Sequence, residues 1–173
     1  MTGKARILIF TGEGKGKTTA ALGLAIRAAG AGLKVFIAQF IKRGDYSEIK
    51  SLKRFSDLIT VEQFGLGRFV QGTPLKADID VARKGLETVK KIMKKCEYNI
   101  IILEEANVAV NYGLFSDTNL LDVIDAKPLD VELIITGRNA APSIIDIADL
   151  VTEMKPIKHY YEEGVEARVG IEK

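Results

Sequence analysis

The chain has 173 residues, 47% of them hydrophobic, with 25 Lys and Arg against 23 Asp and Glu for a formal net charge of +2. That is one domain's worth of core, residues 1–173, and too even a charge to argue for nucleic acid or an anionic membrane as partner. One cysteine (Cys96) and one histidine (His159) exclude an internal disulfide, a Cys- or His-rich metal centre and a Ser/His/Asp set built on any other histidine; with no segment of transmembrane length and no signal-peptide core, the expectation is a soluble protein of a reducing cytoplasm.

Ala5 to Thr11, apolar from Ile7 to Phe10, stop at a glycine cluster, the habit of a strand buried on both faces. Residues 17–30, rich in Ala and Leu and closed by Gly30 and Gly32, predict a helix, and Leu33 to Phe40 a second strand. A short helix is expected over 46–55, a third strand over 58–63, and a loop over 64–74. Residues 75–96 predict a long amphipathic helix with Leu75, Ile79, Ala82, Leu86, Val89, Met93 and Cys96 on one stripe, which puts Cys96 in the core. A fourth strand follows at 98–103, helices at 105–112 and 116–125, a fifth strand at 131–136, a helix opened by Pro142 through 148, and a sixth strand at 149–155. The alternation predicts an α/β fold with one open, mostly parallel sheet and helices on both faces.

Between the first strand and the first helix lies Gly12-Glu13-Gly14-Lys15-Gly16-Lys17-Thr18-Thr19. Glycines there let successive backbone N–H groups converge on one concavity, and the helix N-terminus adds its own donors and dipole. Lys17 brings charge to a polyphosphate and Thr18 a hydroxyl for magnesium. The strict phosphate-loop pattern would need glycine at position 11, which is Thr11, so this is a variant carrying an extra lysine, Lys15. Glu104 and Glu105 end the fourth strand, where an acidic residue holds Mg2+ directly or through water in nucleotide hydrolases. These features leave three chemistries open: ATP hydrolysis, phosphoryl transfer in a RecA-like P-loop NTPase, and displacement at the nucleoside with triphosphate leaving. A regulatory module that binds nucleotide without turnover is a further possibility.

Beyond the loop itself, Arg27 to Val35 running into Gln39-Phe40-Ile41-Lys42, Leu103 to Ala109 with Tyr112-Gly113-Leu114, Thr136-Gly137-Arg138-Asn139-Ala140-Ala141-Pro142, and Ala148 to Met154 followed by Lys158-His159 and Gly170-Ile171-Glu172 together resemble the P-loop corrinoid adenosyltransferases. The resemblance implies transfer of the 5′-deoxyadenosyl group of ATP to the cobalt of a reduced corrinoid, with triphosphate released. It implies ATP lying in the loop with reversed polarity, and Lys15 and Lys17 as the catalytic candidates. Bound nucleotide would meet Gly12, Glu13, Gly14, Lys15, Gly16, Lys17, Thr18 and Thr19, with Arg138 and Asn139 placing nucleoside or corrinoid. For Mg2+ it offers Thr18 and Glu105 first, then Glu104, which stands where the family has aspartate. Phe69, then Phe64, are the candidates for the aromatic that displaces the lower axial ligand of cobalt. The resemblance also implies a homodimer and an electron-donating reductase or flavodoxin as partner, with His159 structural or facing the dimer.

Overall fold

The computed structural model describes residues 5–68 and 72–172. Six strands, β1 (Ile7–Thr11), β2 (Val35–Phe40), β3 (Ile59–Phe64), β4 (Ile100–Glu104), β5 (Glu132–Thr136) and β6 (Leu150–Glu153), form one sheet in the order β3-β2-β4-β5-β1-β6. Every pairing is parallel, so the expectation of a mostly parallel sheet sharpens to an all-parallel one. Parallel neighbours need crossovers, which α1 (Lys17–Gly30), α2 (Ser47–Leu52, continued by a 3-10 turn to Phe55), α3 (Lys76–Lys95), α4 (Ala106–Asn111), α5 (Asp117–Asp125) and α6 (Pro142–Ile145) supply. Among the described residues no helix is long and apolar enough to cross a membrane.

The apolar runs read as doubly buried strands because alternate residues serve two cores. On one face Val35, Ile37, Ile100, Ile102 and Ile134 meet the alanine face of α1, Ala21, Ala25, Ala28 and Ala29. On the other, Phe36, Ala38, Phe40, Ile101, Leu103, Leu133 and Ile135 pack with Ala82, Leu86, Val89 and Met93 of α3 and with Leu120 and Val123 of α5. The small residues of α1 let it lie close to the sheet, directly behind the loop it follows.

Two helix ends differ from expectation. The stripe of α3 is buried only through its middle: Leu75 is exposed, and Cys96 is exposed too, because the helix has stopped there in a left-handed turn (φ 52°). Cys96 is thus a helix cap and not a core residue. The helix opened by Pro142 ends at Ile145, short of 148, and the chain turns into β6.

Candidate active site

All six strands point their C-terminal ends at one edge of the sheet, and the sequence-predicted site residues with described positions gather there, Phe64 at the end of β3 with its ring turned into the core. β5 lies between β1, which feeds the phosphate loop, and β4, which carries the acidic pair. The alternation of side chains along β4 decides where the first of that pair emerges. Glu104 shares its side of β4 with Ile100 and Ile102, which face α1, so its carboxyl lies against the first turn of that helix. There the Thr18 hydroxyl donates to Glu104 Oε1 at 2.7 Å, and Lys42 Nζ donates to the same oxygen at 3.0 Å. Glu104 is fully buried, and its Oε2 has no hydrogen-bond partner among the described residues. An orphaned buried carboxylate oxygen carries a desolvation cost that a bound cation would remove.

Glu105 leaves the strand in a left-handed conformation (φ 61°), caps α4, and donates its N–H to Thr136 Oγ1 at 3.0 Å. Burial and the adjacent Glu104 charge raise its pKa above the ordinary carboxylate value, against the pull of Lys42, Lys17 and Arg138. For Lys42, burial works against the charge, yet Glu104 outweighs it and the ammonium is held more firmly than usual. The sequence ranked Glu105 above Glu104 as the residue nearest a metal; the side chain beside Thr18 is Glu104.

The loop turns through positive φ at Gly12 (93°) and Gly16 (123°). At Gly12 and Gly14 the chain also runs so close to Met154 that a Cβ would sit 2.5 and 2.7 Å from its carbonyl oxygen. Lys17 is buried and folds back over the loop, donating to the carbonyls of Gly12 at 2.7 Å and Gly14 at 2.6 Å. Burial, then the nearby Arg138, lower its pKa. Arg138 pairs with Glu13 at 2.9 Å, which ties the turn after β5 to the loop. Asn139 is left-handed (φ 51°), and Asn111 of α4 donates to the carbonyls of both Arg138 and Asn139. Gly16 and Thr19 complete the turn and the start of α1, where Gly16 O accepts the Ala20 N–H at 2.7 Å. Lys15 does not fold over the loop as Lys17 does; its ammonium meets Ile171 O and Glu172 Oε1 in the segment after β6.

Phe64 does not reach this edge as a free aromatic. It is buried in the core, 5.9 Å ring to ring from Phe40 and packed over Gly85 of α3. Phe69 lies outside the described residues. His159 sits in the segment after β6, its Nδ1 accepting from the Tyr161 N–H. Lys42 is the site residue to which sequence reasoning gave no role. A lysine two residues past a strand end carries no signal by itself; the side of β4 on which Glu104 falls was readable from the alternation.

A model of the ATP:corrinoid adenosyltransferase BtuR/CobO/CobP family matches residues 3–172. A corrinoid adenosyltransferase of Pseudomonas aeruginosa is 32% identical over 167 residues, covering 96% of this chain and 82% of that protein. One from Escherichia coli K12 is 33% identical over 168 residues, covering 96% and 84%. Among solved structures, a KaiC-like protein of Pyrococcus horikoshii aligns with a TM-score of 0.60 over 90% of this chain and 75% of its own, at 13% identity, which is a likeness of fold alone. With a family match spanning nearly every residue and the loop, acidic strand end and Arg138 turn assembled at one sheet edge, the chain belongs to the ATP:corrinoid adenosyltransferase family, whose reaction moves the adenosyl group of ATP onto a corrinoid.

Proposed function

We propose that this edge binds ATP with its polyphosphate in the 12–19 loop and presents the ribose C5′ to a reduced corrinoid, so that triphosphate is the leaving group. The contact of Thr18 with Glu104 carries the reading, because it joins the loop to the acidic strand end in one cation-ready cluster. The donor set fits Mg2+. One hydroxyl and one buried carboxylate with an unpartnered oxygen are too few for an all-protein cage, and the described residues hold no group of three or more acidic, His or Cys side chains that could hold a metal; Mg2+ characteristically takes one or two protein ligands plus phosphate and water. Glu104 and Thr18 would hold it, with Glu105 behind them. When bound it neutralises charge on the phosphates.

The rest of the chemistry belongs to residues of the chain. A cobalt nucleophile needs no base from the protein, so the site's work is orientation and charge. Lys17 and Lys15 bring positive charge to the oxygens on which negative charge grows as the C5′–O bond breaks. Arg138, held by Glu13, and Asn139, held by Asn111, wall the space beside the loop where nucleoside or corrinoid would lie. The reading extends to a cytoplasmic homodimer that receives its corrinoid reduced by a reductase or flavodoxin, on the strength of the resemblance and of the single cysteine.

The test is the fate of ATP. Incubation with Mg2+, ATP and chemically reduced corrinoid should give a light-sensitive cobalt–carbon product and one triphosphate per turnover, read by phosphorus NMR. ADP and phosphate would instead identify a P-loop ATPase or phosphotransferase acting at the terminal phosphate.

A further inference from the structure

We infer that the segment after β6 forms a wall of the nucleotide site, in which Glu172 is a positioning residue that aims Lys15 at the polyphosphate. This rests on the proposed role of Lys15 in holding the leaving triphosphate.

Lys15 donates to the carbonyl of Ile171 at 2.5 Å and to Glu172 Oε1 at 3.3 Å, partners more than 150 residues away in sequence. An ammonium has three donors, so two are fixed by this segment and one is left to meet a ligand. Glu172 is itself clamped. Its Oε2 accepts from the Arg168 backbone N–H at 2.8 Å and from Arg168 Nε at 3.2 Å. Its Oε1 accepts from Arg168 Nη2 at 3.1 Å and from the Tyr160 hydroxyl, and the Arg168 guanidinium lies 5.0 Å from the centroid of the Tyr160 ring. Arg168 above all, then Tyr160, hold the carboxyl well below the usual carboxylate range.

Three features favour aiming over mere stapling. The Lys15 side chain is 41% exposed, and pairs so open to water add little to stability. Two cations share one carboxylate, so the cluster of Lys15, Arg168 and Glu172 keeps a net positive charge and still attracts a polyanion. A lysine on a four-carbon stem otherwise gives up its rotamer freedom at the moment it grips phosphate, and a tether at its tip removes that cost beforehand. The segment also reaches the loop from behind, since Met154 O accepts the Gly14 N–H at 2.7 Å, and Val169 lines an open cleft with Gly44, Tyr46 and Lys50 beyond the end of β2.

The experiment uses the full chain as wild type, Lys15→Ala, Glu172→Gln, Arg168→Ala and the double variant Lys15→Ala/Glu172→Gln. MgATP binding is measured calorimetrically, and steady-state kinetics are run with ATP and with reduced corrinoid varied in turn; melting temperature verifies folding. Glu172→Gln should raise Kd and KM for ATP about tenfold, the scale of one charge-assisted hydrogen bond. The KM for corrinoid should stay constant, and the substitution should add nothing in the Lys15→Ala background. Arg168→Ala should shift ATP affinity in the same direction. If Lys15→Ala weakens ATP and Glu172→Gln does not, or if their effects simply add, the positioning role is wrong while the Lys15 reading stands. If Lys15→Ala itself changes nothing, both fall. Tighter ATP binding in Glu172→Gln would make the carboxylate a competitor of the nucleotide and likewise overturn the inference.

Discussion

Thr18, at the start of α1, and Glu104, at the end of β4, share a 2.7 Å hydrogen bond although β5 lies between the strands that lead to them. The bond forms because the first turn of α1 reaches over the sheet edge and Glu104 comes up on the α1 side of its strand. Glu104→Gln keeps the shape and removes the charge. The expected result is a loss of about 10–100-fold in apparent Mg2+ affinity, the range for disturbed groups around a metal. A Mg2+ titration of turnover at fixed ATP measures it; an unchanged titration would remove Glu104 from the metal.

Lys42 and Glu104 depend on each other. The Lys42 side chain is 25% exposed and Glu104 not at all, so Lys42→Met should strand a buried charge. The cost should be up to about 3 kcal/mol, at or below the low end for breaking a wholly buried pair because water still reaches the lysine. Lys42→Met combined with Glu104→Gln should recover most of that loss in urea unfolding. Equal instability of the single and double variants would show that the ion pair is not the cause.

Much of this was legible in the sequence. Runs such as Val35 to Phe40 had to be strands with two buried faces, and the glycine spacing before α1 had to be a tight turn between strand and helix. What was not legible came from contacts that local pattern does not encode. Glu104 and Glu105 are adjacent and chemically alike, and only the left-handed turn at Glu105 separates one that meets Thr18 from one that caps α4. The stripe of α3 keeps its period through Cys96, but the helix ends first. Phe64 reads as a site aromatic in the sequence, and the absence of a side chain at Gly85 gives it a place in the core, since the ring fills the space a side chain there would take.

Two glycine-to-alanine changes should have opposite signs. Gly23 is an exposed position inside α1 with nothing among the described residues within 4 Å of an added Cβ. Gly23→Ala should stabilise by about 0.5–1 kcal/mol through helix propensity. At Gly85 in α3 the Cβ would stand 2.7 Å from Phe64 Cγ and 2.8 Å from Phe40 Cε1. Gly85→Ala should therefore destabilise by about 1–3 kcal/mol, as overpacking does. Chemical denaturation of both variants checks the pair.

The raised pKa of Glu105 gives a pH signature in nucleotide- and metal-free buffer. The fold favours its protonated form, so the group's stabilising contribution is present below the unfolded-state pKa and is lost as pH rises through the folded-state value. Near neutral pH its ionised form works against the fold. Glu105→Gln should melt higher than wild type at neutral pH, and the gap should close on acidification. A gap that is constant with pH, or reversed, would contradict this.

The backing of the phosphate loop by Met154 has a cost for the grip itself. An amide that donates to one acceptor at 2.7 Å is engaged, so the Gly14 N–H faces the rear brace instead of the concavity. The cradle therefore offers one fewer main-chain hand to the phosphates, and a larger share of the anchoring falls to side-chain ammonium groups. Affinity for the nucleotide should accordingly weaken steeply with added salt, and a thinning of the four-residue edge strand that ends beside Met154 would loosen the cradle without any change within the loop's own sequence.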